Sequence, residues 1–304
     1  MTVRVRATAN AARSALRLLY LATAVLLAWR LVVARQTRPL DAAIERLWPI
    51  QWLGHLPFGT TEGVATCLVV AGIVASLLWQ SRTARVLVAI ASLVVTAWFS
   101  SFGKVNHNDH MLLWTLAVLA AIPTAAMRTD ATRRSQLDLL VGFARAQAVV
   151  LFFYFMAGLL KVLGGLVQWS LGEPNLFRLD AMPRQLAARL LQTDSDSLLG
   201  DWLIAHPAIA TPLLWGAVYL EAGSLVIPFR PRLHRLWGVA LLGLHLGIGL
   251  AMTIWFDANF LILVVLLVLS PWDRGSLSRG WWGDLPGLFA IRRTIARFRG
   301  GVPR

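Results

Sequence analysis

A single lysine sits in an apolar stretch of membrane-spanning character. In YFMAGLLKVLGGLVQW, from Tyr154 to Trp169, Lys161 is the only charged residue. An ammonium group in hydrocarbon costs at least about 2.5 kcal/mol, so it must be paired, close to water, or used in chemistry. Tyr154, Ala157, Gly158, Lys161, Gly164 and Gly165 recur at steps of three and four and share one helical face. That face is small and smooth, which suits close approach of a neighbouring helix and turns Lys161 toward protein and not lipid. An amine held in such a place can serve as a base.

Other polar groups recur in apolar surroundings. The turn GKVNHNDHM carries His107, Asn108, Asp109 and His110. A histidine beside the lysine can hold a developing anion or relay a proton, so Lys161 as base with His110 as anion stabiliser is the catalytic pairing the residue types suggest. Tyr154, His107, His245, Glu221 and Asp257 are the remaining candidates for substrate contact. The bland alternative has Lys161 neutralising Asp257 or Glu221 to fix helix packing, and periodicity by itself favours it. His107 and His110 stand at i, i+3, a metal-ligand spacing, but no second His-rich motif joins them and no metal is assigned. Asn108 and Asp109 read as helix N-caps. His245 alone on an apolar helix reads as a hydrogen-bonding group between helices. No Gly-rich phosphate loop, nucleophile elbow or zincin helix is present.

The composition says what must position these groups. Of 304 residues 57% are hydrophobic and 14% charged, and the mean hydropathy is +0.63. With apolar runs of spanning length recurring, this is an all-α, polytopic membrane bundle. The net charge of +14 is nearly all arginine. It falls in short loops and at the termini, as topology determinants do, which argues against nucleic acid as a partner. The lone Cys67 excludes an internal disulfide.

In order, apolar helices are expected to about Ala34, then over 63–79, 86–102, 111–127 (Pro123 a kink), 139–165, 203–229, 236–252 and 255–272. Trp48 and Trp52 suggest a surface-lying connector, and PRQLAARLLQ a short amphipathic helix between the fifth and sixth crossings. Arg30, near the far end of the first helix, is expected to snorkel to the interface. About eight crossings put both termini in the cytoplasm. Inside loops then hold about 19 basic residues and outside loops about 7, as the positive-inside rule requires. This topology puts Lys161 near the outer surface and Glu221 deeper, toward the cytoplasmic half. Residues 1–272 form one membrane domain, and 273–304 a basic amphipathic tail suited to an anionic membrane surface. No internal repeat or broken-helix pair marks a transporter site.

At these residues the chain resembles a known family. YFMAGLLK followed by a Trp looks like the central motif of the vitamin K-dependent gamma-carboxylases and of the wider bacterial HTTM (horizontally transferred transmembrane) domain proteins. NDHMLLW is similar to the carboxylase turn with the assisting histidine, and Glu221, His245 and a closing Ser-Pro follow the later pattern. The likeness covers about residues 85–272. It implies that Lys161 deprotonates reduced vitamin K or another quinol at the extracytoplasmic side, that His110 assists, and that the chain lies in a bacterial inner membrane. The carboxylases carry a large lumenal region after the membrane domain, which this sequence lacks, so peptide carboxylation is not implied. Small HTTM relatives also act in maturation of a secreted toxin. Two readings follow. One is an enzyme acting on a quinol or other lipid-soluble substrate. The other is a non-catalytic accessory to maturation or export of a secreted peptide, with Lys161 a structural ion pair whose size-matched replacement by Met is largely tolerated.

Overall fold

A computed structural model describes residues 2–36, 50–51, 58–101, 109–272 and 285–287. Among them every regular element is a helix: α1 Thr2–Gln36, α2 Phe58–Leu77, α3 Arg82–Ser100, α4 His110–Ala120, α5 Arg133–Ser170, α6 Ala181–Thr193, α7 Leu198–Ala205, α8 Pro207–Gly223, α9 His234–Met252 and α10 Asp257–Ile262. A π-helical turn, Leu263–Val268, continues α10. Four of the described helical segments are long and apolar enough to cross a membrane: Arg4–Val33, Arg82–Ser100, Arg133–Ser170 and Pro231–Met252. The chain divides into two compact units, Met1–Val149 with Asp257–Pro271, and Val150–Phe256 with Trp272–Arg304.

In the first unit α1, α2 and α3 pack through Leu27, Val69, Ala91 and Val95. Gly72 makes the α2–α3 contact, since a Cβ there would lie 2.3 Å from that of Ala91. Two buried arginines tie helix ends together. Arg13 donates to the Ala126 carbonyl and to Asn10. Arg85, wholly buried, donates to the carbonyls of Trp79, Gln80, Leu119 and Ile122. Those carbonyls lie just beyond or in the last turn of α2 and α4, where the helix leaves acceptors without partners, so the guanidinium acts as a shared C-terminal cap. At the opposite end Arg30 forms a two-pronged ion pair with Asp109. The expected snorkelling of Arg30 is thus replaced by an ion pair. Asp109 occupies the N-cap position of α4 but makes no cap bond, because its carboxylate is turned to the guanidinium.

The expected fourth helix, 111–127, stops as α-helix at Ala120 and resumes as a 3₁₀ turn, Thr124–Met127, with Pro123 between them. Proline lacks the N–H that would continue the ladder. The expected sixth helix, 203–229, is two pieces, α7 and α8, bent by 109°. His206–Pro207 makes the break, since a residue before proline is pushed out of the α region. The eighth segment is shorter than expected and starts at Asp257. The amphipathic helix is present as α6. The connector with Trp48 and Trp52, and the tail beyond Trp272 apart from 285–287, lie outside the described residues.

Candidate functional site

The second unit contains the lysine. Its helix, α5, has 38 residues, about 57 Å at 1.5 Å per residue, against a hydrocarbon core of about 30 Å. Because α5 runs on to Ser170, Lys161 lies about 13 Å before its end. The sequence expectation ended the helix at 165 and so placed Lys161 too close to its end.

The small face does what its composition suggests. A Cβ on Gly158 would lie 2.5 Å from the Ala222 nitrogen and 2.9 Å from the Glu221 Cβ. α8 therefore crosses α5 in backbone contact, one turn from Lys161. At that crossing the Lys161 Nζ donates to both carboxylate oxygens of Glu221, at 2.5 and 2.6 Å. The two partners are unequal: the Lys161 side chain is 44% accessible and that of Glu221 7%. Glu221 thus shares the depth of Lys161, contrary to the deeper placement expected from a continuous sixth helix. Of the two carboxylates expected as partners, Glu221 takes the lysine, while Asp257 begins α10 in the first unit.

Two turns back on α5, Tyr154 is buried and its hydroxyl lies 2.5 Å from His245 Nε2 on α9. The rings meet edge to face, and His245 packs against Phe256 at 4.7 Å. Both are candidates for substrate contact; here they bond to each other, as the reading of His245 as a hydrogen-bonding group between helices expects.

Beyond Lys161 the face continues through Gly164 and Gly165 to Gln168 and forms one wall of a cavity of about 340 Å³. Gly165 admits Leu176, whose Cβ would be 2.9 Å from an added methyl. The opposite wall comes from the 171–180 connector and α6, with Asn175, Arg184 and Gln185. The connector is pinned to α8, where Thr211 donates to the Leu179 carbonyl at 2.6 Å and Trp215 to that of Leu176 at 3.0 Å. Arg184 donates to Asp180, which also receives Arg178. The Arg184 hydrogen bond, with that of Arg178, holds the Asp180 carboxyl below its ordinary range, so Asp180 is a fixed negative charge at neutral pH.

Arg184, Gln168 and Gln185 were not among the sequence candidates. Gln168 stands seven residues after Lys161, a same-face position, and Arg184 lies in the amphipathic segment; those were the available signals. His110 opens α4 in the first unit, and His107 falls outside the described residues. Among the described residues no group of three or more His, Cys, Asp or Glu side chains could hold a metal ion. Comparison with protein-family models, curated proteins and solved structures finds no match.

Proposed function

We propose that the chain is a multi-pass membrane protein of HTTM, gamma-carboxylase-like kind that takes a proton from a quinol or other lipid-soluble substrate at the Lys161 cavity. The observation that carries this reading is the Lys161–Glu221 pair, with the amine on the cavity wall and the carboxylate buried behind it. The pair is neutral overall and can accept one proton. The substrate O–H bond breaks and its proton passes to the Lys161 nitrogen as the ammonium hands one of its own to Glu221. An ammonium and a carboxylic acid remain beside the new substrate anion, which the positive charge stabilises. In this proposal the site faces the extracytoplasmic side of a bacterial inner membrane.

Eight crossings with cytoplasmic termini belong to the same reading. Its support is the four long helices, the bent α7–α8 pair and three shorter apolar helices, Glu62–Leu77, His110–Ala120 and Asp257–Val268. Arg13 and Arg30 lie seventeen residues apart on α1, as do their partners Ala126 and Asp109. α4 with its 3₁₀ turn thus matches about 26 Å of α1, close to a hydrocarbon thickness.

Purified protein in nanodiscs, supplied with reduced vitamin K in air-saturated buffer, with dissolved oxygen as the oxidant of the quinol anion, and followed for quinol oxidation above the protein-free rate, tests the chemistry. Wild-type turnover that is lost in Lys161→Met and Glu221→Gln, with both variants folded, is the expected result. Full turnover in folded Lys161→Met would sink it. The tight pairing itself favours the second reading, an accessory protein for a secreted peptide with a structural ion pair. That reading predicts no quinol turnover in the wild type.

A further inference from the structure

We infer that the Lys161 cavity holds the monoanionic head of a membrane amphiphile, with Arg184, Gln168 and Gln185 as its recognition groups. The inference rests on the reading of this cavity as a ligand site but not on the proton chemistry proposed for it.

Charge comes first. Glu221 cancels Lys161, and Asp180 is shared by Arg178 and Arg184. Two cations on one carboxylate leave a single positive charge unpaired at the cavity edge, on the side where Arg184 lines it; Glu173, in the same connector, makes no ion pair with either arginine among the described residues. One negative charge on the occupant balances it. Arg184 gives Asp180 one hydrogen bond, from Nη2, and a guanidinium carries five N–H donors, so others remain for an anion. Lys161 spends two of its three N–H groups on Glu221. Gln168 and Gln185 line the cavity with side-chain amides that bond to nothing among the described residues.

Size comes next. About 340 Å³ is the liquid volume of roughly eleven waters at about 30 Å³ each. A carboxylate or a phosphoglycerol fits; a head with a long acyl chain does not. The chain must leave the cavity, and α5 offers a path. Leu160 is on the cavity lip, and Leu163 and Val167, three and seven residues further on, are exposed in line with it. An exposed apolar ridge of this kind on a long apolar helix is what a lipid-facing surface presents. A water-soluble anion would have no use for it.

Two sources share this chemistry, an anionic phospholipid and a fatty acid. Native mass spectrometry of the detergent-purified protein separates them. The probes are phosphatidylglycerol, oleate, uncharged oleyl alcohol and tail-free dimethyl phosphate. Each is added to the wild type, Arg184→Gln and Arg184→Lys, with melting curves to confirm folding. Retention of phosphatidylglycerol or oleate, whichever is the tighter naming the head, is expected to fall about tenfold in Arg184→Gln, the loss of one charge-assisted contact. Arg184→Lys should keep most of it, and oleyl alcohol and dimethyl phosphate should bind weakly. Oleyl alcohol held as tightly as oleate would overturn head recognition while leaving the cavity a ligand site. Dimethyl phosphate held as tightly as the lipids would overturn the amphiphile. No retention of any probe would overturn both the inference and the reading of the cavity as a ligand site, whereas absent quinol turnover with intact lipid retention would overturn the proton chemistry alone.

Discussion

Lys161 and Glu221 form one ion pair, but removing either partner leaves different things behind. Lys161→Met strands a buried carboxylate, and Glu221→Gln strands an amine that already reaches the cavity. Breaking a fully buried pair costs about 3–5 kcal/mol; with the lysine nearly half accessible, Lys161→Met should cost about 1–3 kcal/mol and Glu221→Gln under about 1 kcal/mol. The double variant should recover most of the loss of Lys161→Met. Thermal unfolding in one detergent decides it, and a larger loss in Glu221→Gln would mean the burial asymmetry is not what governs the pair. This revises the sequence expectation that Met, matching lysine in size, would be tolerated: the cost lies in the partner, whose burial no spacing rule reveals. Gly158 permits the pair. Gly158→Ala puts a methyl against the Ala222 backbone, which cannot rotate away as a side chain would, so α8 must shift. Overpacking of this kind costs about 1–3 kcal/mol, and the Tm of Gly158→Ala should fall even though alanine is the better helix former. The packing face was legible from Tyr154 to Gly165 because helical period alone defines it. Which carboxylate would answer Lys161 was not, since Glu221 and Asp257 are alike in type and differ only in where tertiary structure puts them.

At the scale of elements, the breaks decide more than the helices do. Apolar runs located the helices well, and α1, α3 and α9 begin and end close to the expected residues. α7 and α8 were merged because both are apolar and hydropathy does not divide them; the break comes at His206–Pro207. α5 outlasted its expected span because Gln168 and Trp169, polar or interfacial by type, still continue its backbone ladder. Breaks also need caps, and Arg85 supplies one for two helices at once. Its fork reaches four carbonyls, which a lysine ammonium with three donors on one atom cannot match. Arg85→Lys should therefore lose about 3 kcal/mol despite keeping the charge, and Arg85→Met more, because buried acceptors are left without donors. Denaturation of the two variants against wild type checks the order; equal stability of Arg85→Lys would show that charge and not fork geometry is what the helix ends need.

For the whole molecule, hydropathy and the placement of arginine point to a membrane protein, and four of the described helical segments are long and apolar enough to cross a membrane, which is compatible with that. The number of crossings turns on the bent pair. If α7 and α8 cross together, the chain on either side of them lies on opposite faces of the bilayer. If they enter and return, it lies on one face, and every later loop changes side. The flanks of the pair are even in basic residues, Arg178, Arg184 and Arg189 before α7 and Arg230, Arg232 and Arg235 after α8, so it is the excess of basic residues over all loops assigned inside that argues for crossing. Asp196 and Arg232 are both exposed, and Cys67 is the sole native thiol, so a Cys67→Ser background allows a clean test. Asp196→Cys should react with an impermeant maleimide added outside intact cells, and Arg232→Cys only after the membrane is opened. Labelling of both from one side would make the pair re-entrant. The α9 span would then run opposite to the direction proposed for it, and α8 would bring Glu221 to Lys161 from a hairpin and not from a crossing.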